Sequence, residues 1–254
     1  MPSALAIPAA PVETCGMAKA SDEWKVRAHG PLLTLAENLL WVQGTVPNMS
    51  LKRTMVVVRL SDGRLVIHNG IALEAEQMVE LERFGAPAFL IVPNGIHRLD
   101  AAAYKKRYPA LRVLAPAGSR KRVEELVAVD GVYEDFPNDD VLRLETLNGM
   151  AQAEGALIAQ SSDGATVILN DCMFNMDRKR DPLGFLFTTL MGSAPGPRVS
   201  RLCKMMLIKD KKALRADFER YADLPNLVRV IVAHEKVANG PDARASLLQA
   251  ATYL

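Results

Sequence analysis

The chain has 254 residues, with 31 Lys and Arg against 29 Asp and Glu, so the net charge is +2 and no bulk attraction for nucleic acid or a membrane is expected. A hydrophobic fraction of 49% with 24% charged residues excludes a disordered chain. The three cysteines, Cys15, Cys172 and Cys203, are odd in number and lack the close spacing of a zinc knuckle or redox motif, which excludes a disulfide scaffold and points to free thiols in a reducing, cytoplasmic setting.

Met1 to Val12 is apolar but lacks a basic start and is broken by prolines at positions 2, 8 and 11, so it does not read as a signal peptide. It reads as a flexible leader over residues 1–23, with one domain running from 24 to 254, and His29 is expected in a flexible stretch ahead of the first strand. No run of about 18 uncharged apolar residues occurs to cross a membrane.

From Leu32 the pattern is that of β structure. Leu33 to Val46 alternates roughly, and Thr54 to Leu60 is a β-branched run. Ser61-Asp62-Gly63 is turn chemistry, and Leu65 to His68 returns as the second strand of a hairpin. The period then changes: Leu73, Met78, Leu81 and Phe84 mark one face of a helix that Gly85 ends. Ala88 to Val92 is wholly apolar, as in a strand covered on both faces. The same grammar recurs with a helix over Asp100 to Arg107, a strand over Leu111 to Leu114, and a helix over Ser119 to Val127 with Ser119 as its N-cap. A second β-rich stretch follows at Val141 to Glu145, Ala156 to Gln160 and Ala165 to Leu169. The last third is helical, interrupted by one strand, Leu227 to Val232, and closes with a helix over Asp242 to Tyr253.

Two similar halves, each mixing hairpins with strand–helix units, predict an α+β chain folded as a four-layer αββα sandwich, with two mixed sheets inside and helices outside. A Rossmann domain would need a glycine-rich turn after its first strand, and none is present. Charge is uneven: residues 177–215 carry ten Lys or Arg and three Asp, a net +7 that leaves −5 for the rest. This basic helical insert also holds Leu183-Gly184-Phe185-Leu186-Phe187 and Leu190-Met191. A peripheral membrane contact or a protein contact through 183–208 is one reading, and a solvated helical cap is the other.

Of the four histidines, three stand at or just beyond the ends of expected strands: His68 after Arg64-Leu65-Val66-Ile67, His97 in Pro93-Asn94-Gly95-Ile96-His97, and His234 after Val230-Ile231-Val232-Ala233. Asp171 follows Val167-Ile168-Leu169-Asn170. Loops beyond strand ends are where open sheets place reactive groups, so these four side chains are candidates for one site. Cys172, next to Asp171 in an extended strand end, points to the opposite face.

These stretches, with Glu37 to Gly44, Met55 to Gly70, Tyr108-Pro109, Val113 to Gly118 and Asn170 to Asn175, carry a resemblance. The chain resembles the metallo-β-lactamase fold superfamily over about residues 32–240, and most closely an uncharacterised family within it whose metal-ligand motif is degenerate. The superfamily's His-x-His-x-Asp-His loop falls on Asn94 to Leu99, so its ligands are replaced by Asn94, Ile96, Arg98 and Leu99. A later histidine falls at Met150, while the bridging aspartate matches Asp171 and the final histidine matches His234. His97 lies inside the loop but outside the motif's register.

The resemblance therefore implies the fold and, with so few ligands retained, no ordinary two-metal hydrolase. Two readings stand. One is a non-hydrolytic protein that binds an unidentified small molecule or a partner and needs no cofactor. The other is a metal-dependent hydrolase of an ester or phosphodiester, with one zinc or iron held by His97, Asp171 and His234, enough ligands for a mononuclear site. In either, Asp171, His234 and His97 are the candidate catalytic residues. Asn94, His68, Arg98 and Glu154 are the candidate ligand-binding residues, Arg98 for an anion and Glu154 as a site carboxylate or a salt-bridge partner of the insert.

Overall fold

The computed structural model describes residues 20–254. The greater part of the expected leader thus lies outside the described residues, while Asp22 within it pairs with Lys106 at 2.9 Å.

The first half forms a six-stranded sheet in the order β1-β2-β3-β4-β5-β6. Its strands are β1 (Leu33–Ala36), β2 (Leu39–Thr45), β3 (Lys52–Arg59), β4 (Arg64–His68), β5 (Ala86–Ile91) and β6 (Arg112–Leu114). The expected single stretch from Leu33 to Val46 is two strands, because the chain turns at Glu37-Asn38 and pairs Leu33 with Trp41. Strands β1 to β4 pair antiparallel, and β4, β5 and β6 pair parallel. The parallel crossovers carry helices α1 (Ala75–Phe84) and α2 (Ala101–Arg107), and helix α3 (Arg120–Glu124) follows β6. Gly85 ends α1 as expected, but for lack of space rather than for a left-handed turn: its backbone is extended, and a Cβ there would lie 2.4 Å from the Gly63 carbonyl oxygen.

The second half forms a five-stranded sheet in the order β13-β12-β9-β8-β7. Its strands are β7 (Leu142–Thr146), β8 (Gly155–Ser161), β9 (Gly164–Ile168), β12 (Leu227–Ile231) and β13 (Ala238–Asn239). Again hairpins come first, and β9 then pairs parallel with β12. Between them the chain forms β10 (Phe174–Met176), α4 (Pro182–Phe185) with a π-helical turn over Leu186–Leu190, β11 (Gly196–Arg198), α5 (Arg201–Met206) and α6 (Lys211–Ala222); α7 (Pro241–Ala251) closes the chain. The last third thus holds three short strands beyond the expected one. Their two or three residues each leave no periodicity to read; β10 and β11 form a two-stranded sheet of their own, and Asn175 of β10 also bridges to Glu235.

The layers follow from side-chain alternation. On β3, Val56 and Val58 face inward and meet Leu157, Ala159, Ile168 and Ile231 of the second sheet. Met55 and Val57 face outward and pack with Met78 and Leu81 of α1 and Tyr104 of α2. The outer face of the second sheet, with Ile158, Val167 and Val230, is covered by Leu214, Phe218 and Tyr221 of α6 and Leu247 and Ala250 of α7. This is the αββα sandwich that the strand–helix pattern predicts.

Two local expectations are corrected. Helix α3 is only five residues long and is preceded by a 3-10 turn, and Ser119 does not cap it through its side chain; its hydroxyl donates instead to the Ala153 carbonyl at 2.7 Å. His29 is not in a loose stretch, because its backbone bridges to Gly44 and its Nε2 accepts from the Glu74 amide at 3.2 Å.

Candidate metal centre

The parallel strands β4, β5, β9 and β12 all end at one edge of the sandwich, and so bring His68, the 94–97 loop, Asp171 and His234 together. Antiparallel β8 starts at that same edge, which places Glu154 there. The edge is closed between the sheets by the Thr54 amide donating to the Ala233 carbonyl at 2.9 Å.

Asp171 is the centre. Its Oδ1 lies 3.0 Å from His97 Nε2 and 3.2 Å from His234 Nε2. Its Oδ2 accepts from Asn94 Nδ2 at 3.0 Å. One ligand-type atom from each of His97, Asp171 and His234 falls within 4.8 Å of the others, the one such His/Cys/Asp/Glu group among the described residues. The other face of His234 fixes its tautomer: Nδ1 sits 2.6 Å from the Lys52 carbonyl oxygen, which has no proton to give, so Nδ1 carries the hydrogen and donates it. Phe174 stacks on the His234 ring at 5.6 Å, and Phe187 meets it edge-on at 6.1 Å.

Burial would raise the Asp171 carboxyl, but the charges and hydrogen bonds of His97 and His234 outweigh it and hold the group far below the usual carboxylate range. Glu154 behaves oppositely. Fully buried beside the Asp171 charge, it is pushed up to about 8, against the hydrogen bonds it accepts from Asn94, Cys172 and Asn170. Its Oε1 accepts from Asn94 Nδ2 at 2.6 Å and the Asp171 amide at 3.2 Å, and its Oε2 from the Cys172 amide at 2.8 Å.

The sequence candidates divide accordingly. His97, Asp171 and His234 converge. Asn94 and Glu154 stand beside them, bonded to the aspartate side chain and backbone. Asn94 also holds the loop in shape, its Oδ1 accepting from the Ile96 and His97 amides at 2.8 and 2.9 Å. That turn aims His97 inward despite its place outside the motif's register. His68 is buried at the end of β4 with Nε2 unpartnered, and burial, with a smaller contribution from His97, pushes it down to about 3. Arg98 is held by the Arg122 carbonyl of α3 and by Glu125, the residue just past that helix. Glu154 makes its bonds to Asn94, Asn170 and two amides rather than to the insert. Cys172 and Cys203 are free and buried, and Cys172 packs in the core under α6 and α7. The Lys52 carbonyl, Phe174 and Phe187 had no signal in the sequence, because a backbone oxygen and two ordinary apolar residues carry none.

No protein-family model matches the chain, and no curated protein matches it. Solved structures do. The mono-zinc form of the metallo-β-lactamase FIM-1 from Pseudomonas aeruginosa matches with a TM-score of 0.55 at 12% identity, over 91% of this chain and 98% of that one. A metallo-β-lactamase from Erythrobacter litoralis, with β-mercaptoethanol in its active site, matches at 0.57 and 14%, over 88% and 96%. One from Pontibacter korlensis matches at 0.55 and 10%, over 89% and 100%. The chain has the metallo-β-lactamase fold.

Proposed function

We propose that the chain binds one divalent metal ion, zinc or iron, between His97, Asp171 and His234, and acts as a hydrolase of an ester or phosphodiester. One observation carries this reading: ligand-type atoms of His97, Asp171 and His234 all lie within 4.8 Å of one another. With its proton on Nδ1, a neutral His234 presents the Nε2 lone pair to a carboxylate oxygen 3.2 Å away. Lone pair facing lone pair is repulsive, and either a second proton on the ring or a cation between the groups resolves it. The partner set of two imidazoles and one carboxylate is one that zinc and iron take. Lys52 orients His234, as outer-shell carbonyls orient metal-bound histidines. Such an ion would supply Lewis acidity to an ester or phosphoryl oxygen and make a bound water more acidic. The protein's own part is to hold Asp171 ionised, to fix His234 from behind, and to exclude water along the Phe174 and Phe187 side. The FIM-1 structure, in its mono-zinc form, is a precedent for one ion in this fold.

Non-hydrolytic binding of a small molecule or partner is the second reading, favoured by a specific feature. Where the resemblance calls for further metal ligands stand Ile96, Arg98 bound to Glu125, and Met150 buried in the core. The free thiols Cys172 and Cys203 support a reducing, cytoplasmic setting for either reading.

Plasma mass spectrometry of the purified chain, dialysed against micromolar zinc, iron and manganese, tests the metal. About one ion per chain, lost in His97→Ala and His234→Ala, is expected. Turnover of aryl esters and bis-aryl phosphodiesters by the loaded chain then separates the two readings. A substoichiometric metal content overturns the hydrolase.

A further inference from the structure

Exposed apolar side chains concentrate in one part of the surface. Among the described residues eight large hydrophobic side chains are exposed, and five of them lie in the insert: Phe185, Leu186, Leu190, Met205 and Met206. Met205 is 78% exposed. They belong to neighbouring elements. The Arg201 amide that starts α5 donates to the Met191 carbonyl at 2.8 Å, next to Leu190. On α5, Arg201 and Met205 are one helical turn apart and share a face, as do Leu202 and Met206. Cys203, between them, is buried.

The charges around this face are positive and largely unopposed. Arg178, Arg180, Arg201 and Lys209 are exposed and form no ion pair among the described residues. The segment's three acids are engaged: Asp177 with Lys236, Asp181 with Ser50 and the Gly184 amide, and Asp210 with the amides that open α6. Protruding apolar groups on a segment that also exposes unpaired cations fit a surface that offers an apolar layer beneath an anionic one. A protein interface core is ordinarily rich in Tyr and Trp and poor in Lys. Residues 177–215 contain neither Tyr nor Trp and hold five Lys.

We propose that this insert docks the protein on an anionic phospholipid surface, with Phe185, Leu186, Leu190, Met205 and Met206 entering the interface and the basic side chains meeting lipid phosphates. Phe187, from the same turn, packs on His234, so the docking face and the candidate site share one wall. The inference is independent of metal binding, which is read by ion content with no lipid present.

Co-sedimentation of the full chain with vesicles tests it, comparing phosphatidylcholine alone with phosphatidylcholine mixed with phosphatidylglycerol. The pelleted fraction is expected to rise several-fold with the anionic lipid and to fall as salt is added. Met205→Glu/Met206→Glu and, separately, Arg201→Glu/Lys209→Glu should each reduce it several-fold. All four positions are exposed, and circular dichroism checks that the variants fold. Binding that ignores anionic lipid, or that survives both double substitutions, overturns the proposal. So does sedimentation velocity showing a dimer that Met205→Glu/Met206→Glu converts to monomer, because a second copy then covers this face.

Discussion

Asn94 and Glu154 meet in a 2.6 Å hydrogen bond between two buried side chains, and the same Asn94 nitrogen reaches Asp171 at 3.0 Å. A neutral amide thus stands between two carboxylates and donates to both, while its oxygen closes the turn that carries His97. Asn94→Ala strands two acceptors and two amides, at a cost of roughly 2–4 kcal/mol in urea unfolding. Asn94→Asp keeps the turn but sets a second ionised carboxylate against Asp171, beside a Glu154 whose carboxyl, pushed up to about 8, is largely protonated at neutral pH. It should be worse than Asn94→Ala at neutral pH and recover as the solution is acidified. A milder effect of Asn94→Asp than of Asn94→Ala at pH 7 would count against this role.

The metal reading has a thermodynamic consequence apart from turnover. An ion that binds only the folded chain stabilises it by about 2.7 kcal/mol at a free concentration 100 times Kd. Zinc titrated into chelator-treated protein should therefore raise Tm progressively, and excess chelator should return it to the starting value. His97→Ala should abolish the gain, while Arg98→Ala, which removes only the link to Glu125 and the Arg122 carbonyl, should retain it. An equal Tm gain in His97→Ala would place the zinc elsewhere.

His68 sets a stability limit in acid. Its unfolded ring takes up a proton near its ordinary value of 6.5, and the folded ring, deprived of water by burial and opposed by His97, does so only near 3. The unfolded chain binds more protons in that window, so the contribution is complete above about pH 6.5 and is lost as pH falls towards 3. At pH 4 the loss is about 3 kcal/mol, taking 1.36 kcal/mol per unit. His68→Leu cannot titrate, and its urea midpoint should fall less between pH 7 and pH 4 than that of the parent chain. Parallel pH profiles would show that His68 is not the group responsible.

The fold was legible because its main signals are periodic. The β-branched run from Thr54, the turn at Ser61-Asp62-Gly63, and the apolar segments that became β5 and β12 each carry their layer in their own sequence. Asp171 and His234 could be named because each follows closely on such an apolar strand, three residues past the ends of β9 and β12. What the sequence did not display depends on contacts across long separations. Lys52 supplies only a backbone oxygen to His234, and the Asn94–Glu154 bond joins residues 60 apart. The buried ion pair of Arg53 and Asp100, 2.5 Å apart beneath the sheet, is likewise invisible to periodicity because a charged residue in a strand reads as solvent-facing. The short strands β10, β11 and β13 take their form from their partners rather than from any pattern of their own.

The loop that delivers Glu154 to the site is anchored at Gly149. Its carbonyl accepts from the amides of Lys209 and Asp210 at 2.7 and 3.1 Å, which ties the end of the insert to the approach to β8. Its φ is +75°, and a Cβ there would fall 2.1 Å from the Asp210 carbonyl oxygen. Gly63 also has a positive φ, +85°, but a Cβ there would meet nothing within 4 Å. The pair separates backbone strain from collision. Gly63→Ala should cost about 1–2 kcal/mol, the left-handed penalty alone. Gly149→Ala adds a backbone clash that no side-chain rotation relieves, so its cost should exceed that of Gly63→Ala by about 2 kcal/mol or more. Because the displaced loop carries Glu154, Gly149→Ala should also weaken metal retention in the dialysis assay, and Gly63→Ala should leave it unchanged. Equal unfolding midpoints for the two variants would mean that the loop yields at Asp210 and does not fix Glu154.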